Sequence, residues 1–359
     1  MPGRLHRRGA ATAPEISSSP SPMSLADRLT ERFRSSEPPA LEFISRRCLR
    51  NRLQGNGCSR CLDECPVQAI IPEAGSGVRL DLKRCVGCLA CTAVCPVEAL
   101  VGCDSRLAAL PAKLAAGKAV FLCCEKGIRT GEEIILPCLG ALSEEHLVAF
   151  AARSRETVCL YLARCGDCRG SFVPEILARR LQALDRKLGH DGLTSRIRLV
   201  TEEEEIGPAA SASRRSFFRA FWDLSIHAAS ETITTLQAEP NPREKHAHKH
   251  QPPRLALLRQ TLAGSSDETV RLALLPLFFT LTVNTECNFC GGCAGMCPTG
   301  ALKNTREYEL KRLQFDWGRC SGCGLCLEFC RKNALTLTAG RSPESLGTEI
   351  EVLLQLAPE

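Results

Sequence analysis

The sequence has no apolar run near the ~20 residues that a helix needs to cross a bilayer. Its longest such stretch, Leu272 to Val283, is broken by Pro276 and two threonines and reads as a buried helix end followed by a strand. No transmembrane segment is therefore expected. Nor is there a secretory signal: Arg7-Arg8 leads into GAATAP instead of an apolar core. SRRSFFRAF at 213–221 looks like a twin-arginine signal, but it lies mid-chain and reads as a helix start. The expected localisation is cytoplasmic. A Gly-rich dinucleotide fingerprint, a phosphate loop and an ordered Ser/His/Asp constellation are also missing, which argues against nucleotide-driven or triad chemistry. From Arg169 to Glu286 there is not one cysteine.

Elsewhere cysteine is abundant: 23 in 359 residues, in blocks at 48–103, 123–168 and 287–330. In a chain with no export signal, clustered Cys-x-x-Cys spacing reads as metal binding or redox chemistry, not as a disulfide framework. The last block holds Cys287-x2-Cys290-x2-Cys293-x3-Cys297-Pro298 and then Cys320-x2-Cys323-x2-Cys326-x3-Cys330. Three thiolates two residues apart can wrap one [4Fe–4S] cubane. In paired motifs of this kind the fourth thiolate serves the neighbouring cluster. The expected sets are thus Cys287, Cys290, Cys293 and Cys330 at site C, and Cys320, Cys323, Cys326 and Cys297 at site D. Gly291, Gly292 and Gly322 are candidate cofactor-contacting residues, because glycine lets the backbone come close and turn its N–H groups toward sulfide. Zinc is the competing reading. It is disfavoured because zinc takes paired knuckles from separate loops.

The first block repeats this plan with one gap. Cys85, Cys88, Cys91 and Cys95-Pro96 form a complete motif, whereas upstream only Cys58, Cys61 and Cys65-Pro66 are present and Gly55 stands where a first cysteine is expected. Site B is then Cys85, Cys88, Cys91 and Cys65. Site A has Cys58, Cys61 and Cys95 and needs one more ligand. Cys48 is a candidate across the loop LRNRLQGNG and Cys103 a weaker one, while a three-iron cluster or an empty site stays open. The cofactor expectation is three or four [4Fe–4S] clusters.

On these motifs, residues 48–103 and 285–338 each resemble a bacterial-type two-cluster ferredoxin. The resemblance implies a small pseudo-twofold α+β module, each half a strand, a cysteine loop, a helix and a strand. Such a short module buries little core, so metal–thiolate bonds are expected to staple it.

Between the modules the pattern changes. KAVFLCC, EIILPC, TVCLYLA and RIRLV read as strands. SEEHLVAFAARS, capped by Ser143, and VPEILARRLQALDRKLG, opened by Pro174, read as helices. Alternation of this kind predicts a parallel sheet covered by helices. Cys124, Cys138, Cys165 and Cys168 fall after successive strands, where open α/β sheets bind ligands. This layout partly resembles the iron–sulfur delta subunit of hydrogenase and heterodisulfide reductase complexes, which implies a [2Fe–2S] cluster. Zinc, a thioredoxin-type pair at Cys165/Cys168 and plain packing compete with it. Cys159 reads as core.

The expected fold class is a multidomain α+β and α/β chain: two dicluster ferredoxin modules flank a parallel-sheet domain, joined by a helical and disordered linker. The expected boundaries are a basic disordered arm at 1–40 with a short helix at 24–34, module 1 at 41–104, the α/β domain at 105–206, a helical linker at 207–270, module 2 at 271–340 and a tail at 341–359. The stretch AEPNPREKHAHKHQPPR reads as solvated linker. The formal charge of +6 turns to roughly −2 if four clusters add about −2 each, so no nucleic-acid partner is expected. The function expected is electron transfer as a polyferredoxin, a subunit or shuttle rather than a complete enzyme. Its redox partners would be hydrogenase, formate dehydrogenase or heterodisulfide-reductase-like subunits. The alternatives are a thiol–disulfide or sulfur-handling enzyme at Cys165/Cys168, and a redox-sensing scaffold that docks through Arg28 to Arg52 or the His-rich linker.

Overall fold

The computed structural model describes residues 41–75, 77–102, 120–124, 127, 133–154, 156–189, 192–202, 246–307 and 310–356. The N-terminal arm with its expected helix at 24–34, the helix start read at 213–221 and Cys103 lie outside the described residues.

Module 1 is built from short pieces. Strand β1 (Leu41–Phe43) pairs antiparallel with β4 (Leu100–Gly102), and β2 (Ile70–Glu73) forms a hairpin with β3 (Gly77–Leu80). Each cysteine loop leads into a five-residue helix, Arg60–Glu64 and Ala90–Val94. Leu41, Ile70, Val78, Leu89 and Leu100 make its core together with Ala141 of the next domain. Each large side chain buried there contributes about 2 kcal/mol, a small total for a module of this size.

The central domain carries a parallel sheet in the order β6 (Ile134–Leu136), β5 (Val120–Cys124), β7 (Val158–Tyr161), β8 (Ile197–Val200). The helix Glu144–Arg153 starts where Ser143 accepts a hydrogen bond from the His146 backbone N–H. The helix Val173–Leu188 buries Val173, Ile176, Leu177, Leu184 and Leu188, one stripe at helical spacing, and Arg180 lies within that stripe. It stops at Gly189, which takes the left-handed conformation that glycine adopts freely (φ 67°). Ser143 and Pro174 sit where the sequence places them.

Module 2 pairs β9 (Phe279–Val283) with β12 (Leu335–Ala339), and adds a sheet of β10 (Leu302–Glu307), β11 (Leu310–Asp316) and β13 (Ile350–Leu356). The stretch read as a C-terminal tail therefore contains a strand, β13, zipped antiparallel onto β11. The expected solvated linker is also different from His246 onward. His250 donates its backbone N–H to Pro298 O at 2.8 Å and places its ring 2.5 Å from Glu98. Lys249 donates to Gly295 O at 2.6 Å. The helix Pro253–Gly264 then packs on Glu144–Arg153. Prolines and charges made this segment look like a linker, but those charges bind backbone carbonyls of both modules. Among the described residues no helix is long and apolar enough to cross a membrane.

Candidate iron–sulfur sites

The cysteine loops share one backbone signature. The second and fourth residues after the first cysteine are left-handed in three of them: Gly87 and Leu89, Phe289 and Gly291, Gly322 and Gly324. Alternation of this sort turns successive N–H groups into one concavity that favours an anion. Three residues past the fourth cysteine of every motif stands another left-handed residue, Gln68, Glu98, Gly300 or Asn333. Five non-glycine residues in the described chain have positive φ, and all five lie in these motifs. Each costs about 1 kcal/mol or more, so the strain is concentrated at the cysteine sites. The incomplete motif departs from the pattern. Ser59, at its fourth position, has φ −123°, and Gly55 is exposed in a turn with φ 82° and open space around it.

The folded chain brings the cysteines together in fours. Cys287, Cys290, Cys293 and Cys330 line a cavity of about 350 Å³, with Phe289, Phe329 and Asn304 among its walls. Cys297 joins Cys320, Cys323 and Cys326 around a second cavity. A third is lined by Cys48, Cys58, Cys61 and Cys95. Cys91 feels the thiols of Cys88, Cys61, Cys65 and Cys85, and three of these four belong with it to the remaining motif set. In every group one member comes from the partner motif. Among the described residues no three His, Cys, Asp or Glu side chains are arranged to hold a single metal ion. A cubane spreads its thiolates over four irons, so it asks for a wider set than one ion does.

The crossing cysteines are further tied down by the backbone. Ala69 N–H donates to Cys65 Sγ at 3.2 Å, Ala99 N–H to Cys95 Sγ at 3.2 Å and Ala334 N–H to Cys330 Sγ at 3.4 Å. Cys297 has the Thr299 hydroxyl at 3.7 Å instead. Burial pushes the thiols of Cys61 and Cys320 up to about 12 and those of Cys293 and Cys323 up to about 11, and neighbouring cysteines add to the rise. Burial raises Cys91 and Cys326 further still. Thiols packed in this way hold their protons until a cation displaces them, so binding is coupled to proton release. The glycines have a steric role as well. A Cβ on Gly291 would come 2.4 Å from Asn304, one on Gly292 2.4 Å from Phe329 and one on Gly322 2.1 Å from Phe279. What crowds these three glycines is side chains.

In the central domain, Cys124 ends β5, Cys138 follows β6, and Cys165 and Cys168 follow β7. Cys165 lies near Cys124 and Cys168, and Cys138 near Cys124 and Cys165. Cys138 also neighbours Cys88 of module 1. Gly140 packs so tightly there that a Cβ would stand 2.3 Å from Cys88 O. Arg180 holds this contact, donating to Gly140 O at 2.8 Å, Ala90 O at 3.2 Å and Glu64 Oε1 at 2.5 Å. Cys123 is fully buried beside Tyr161 and Val200, and Cys159 packs against that group. The thioredoxin-type arrangement is not what forms. The helix after Cys168 starts only at Val173, and burial pushes the Cys165 thiol up to about 11, away from a ready thiolate.

Comparison with known proteins agrees with the motifs. Residues 54–99 match the family described as 4Fe-4S dicluster domain, and residues 313–336 match the 4Fe-4S binding domain. Cys48 lies outside the first match and the central domain outside both. Pyruvate synthase subunit PorD of Methanocaldococcus jannaschii is 36% identical over 53 residues, which is 15% of this chain and 58% of that protein. No solved structure matches. The chain thus carries two ferredoxin-type [4Fe–4S] domains, and it spans 58% of the length of the relative it matches.

Proposed function

We propose that the chain is an electron-transfer subunit of an oxidoreductase complex and holds four [4Fe–4S] clusters: A on Cys48, Cys58, Cys61 and Cys95; B on Cys65, Cys85, Cys88 and Cys91; C on Cys287, Cys290, Cys293 and Cys330; D on Cys297, Cys320, Cys323 and Cys326. The observation that carries this reading is the gathering of cysteines into four crossed sets, three of which each line one cavity. When bound, such a cluster supplies one-electron chemistry at iron, tuned by burial and by hydrogen bonds to sulfur. The protein's own part is to hold the thiolates, to aim N–H groups of Ala69, Ala99 and Ala334 at crossing sulfurs, and to keep water out around buried Cys91, Cys95 and Cys297. A relative named as a subunit of pyruvate synthase supports a place in a larger complex. Hydrogenase, formate dehydrogenase and heterodisulfide-reductase-like subunits are the partner classes, and the cytoplasm the compartment. Anaerobic purification with iron and sulfide counts and EPR is the test. About sixteen irons per chain is the expected result, and fewer than about ten sinks the two-module reading.

A second reading concerns the central domain. Cys124, Cys138, Cys165 and Cys168 all follow strands at the C-terminal edge of the sheet, and Cys138 and Cys165 each feel Cys124, which supports a further [2Fe–2S] cluster at the strand ends. About eighteen irons would favour it. One zinc per chain, with sixteen irons, would replace it.

A further inference from the structure

The departure of motif A from its three sisters raises a physical question. Its missing cysteine is not simply lost: Cys48, seven residues before Gly55, lines the same cavity as Cys58, Cys61 and Cys95. The ligand has moved upstream, and the chain between Cys48 and Cys58 is freed from wrapping a cluster. That freed stretch faces module 2. Arg52, only 4% exposed, directs its guanidinium to Met296 O at 3.5 Å, and also to His248 O at 3.4 Å in the strap, the segment from His246 to Pro252 that leads into the helix Pro253–Gly264. Asn56, itself buried, donates to Glu328 Oε2 at 2.7 Å, while its own Oδ1 accepts from Cys58 N–H at 3.1 Å. Arg60 donates to Gly322 O at 3.0 Å. Beneath them, Leu49, Cys95 and Val97 of module 1 bury against Met296 and Leu325 of module 2, with Cys48, Cys58 and Cys323 packed on the same cluster.

We propose that Cys48–Arg60 is a docking element: relocating a site A ligand to Cys48 lets this loop grip module 2 and set site A directly against site D. This rests on the four-cluster reading above. One electron then leaves one module and enters the other inside a single chain, with no bond made or broken, the electron being supplied by a reduced one-electron donor protein. The order of neighbouring sites follows. Cys138 neighbours Cys88 of site B, Cys61 of site A neighbours Cys91 of site B, site A meets site D through this interface, and Cys326 of site D neighbours Cys293 of site C. Arg52 and Arg60 also place positive charge beside Cys297 and Cys323. A cation there favours the more reduced state of site D.

The test uses the full-length holoprotein, with Asn56→Ala combined with Arg60→Glu. Neither residue is a ligand. The expected result is an iron count still near sixteen, EPR relaxation of the reduced site D slowed several-fold, and a more negative site D potential that Arg60→Lys does not reproduce. Glu328→Ala breaks the same contact from the exposed face of module 2 and serves if the double variant loses iron. Full iron with unchanged relaxation in these variants overturns the docking proposal and leaves the four-cluster reading standing. A wild-type count below about ten overturns both.

Discussion

Replacing Cys48 with serine leaves site A with Cys58, Cys61 and Cys95. The expected outcome is loss of between one and four of about sixteen irons. If a three-iron core remains, the oxidised protein acquires an EPR signal that the wild type lacks. Gly55→Cys added to that variant should not restore the count, because residue 55 is exposed and nothing lies within 4 Å of a Cβ there. Iron analysis and EPR on the two variants check this. How far Cys48 was readable in advance depends on chain length alone: the sequence shows a cysteine ten residues before Cys58, but no spacing rule says that the loop between them turns outward. The grouping of Cys297 and Cys330 with the cysteines of the other motif could be expected because it follows from a fixed spacing. The left-handed Gln68, Glu98 and Asn333 could not, since none is a glycine and only their place in a repeat explains them.

Among the elements, the helix Glu144–Arg153 carries a pH dependence. His146 stands in its first turn, its ring 2.9 Å from the Ser143 hydroxyl. Burial pushes its pKa down to about 4; Arg254 and Arg180 lower it too, against an opposing pull from Glu145. Unfolded, it titrates near 6.5. Between those values the unfolded chain takes up a proton that the folded chain refuses. Stability from this group is therefore full above about pH 6.5 and declines as pH falls toward 4, by about 3 kcal/mol at most. His146→Gln should flatten that part of the melting-temperature profile, measured on holoprotein from pH 7 to pH 5. The strands and helices of this domain were legible because β5, β7, Ser143 and Pro174 follow local rules of periodicity and capping. The strap from His246 and strand β13 were not: Lys249 and His250 are ordered by carbonyls and a carboxylate far along the chain, and β13 by an edge of β11 that no local pattern announces.

For the whole molecule, the small core of module 1 makes iron structural there. Stripping iron with a chelator under reducing conditions should unfold module 1, seen as lost far-UV ellipticity, while the central sheet persists on the large core that Leu122, Leu136, Phe150 and Leu160 share with Leu281, Leu313 and Phe315 of module 2. Truncation before Ile350 should lower the melting temperature by several degrees, since β13 covers β11 along its length. The overall class, two modules around a parallel sheet, could be read from cysteine spacing and strand–helix alternation. The way the parts grip one another could not, because it runs through single arginines such as Arg52 and Arg180.

Arg254 belongs to the same set, and it bears on how the protein is made. It is 6% exposed, donates to Thr92 O and Cys95 O of module 1, and pairs with Glu145 of the central domain at 3.5 Å. A ribosome delivers it 159 residues after Cys95. Since domains begin to fold as the chain emerges, this tie between module 1 and the central domain closes only after a residue from late in synthesis reaches back to Cys95.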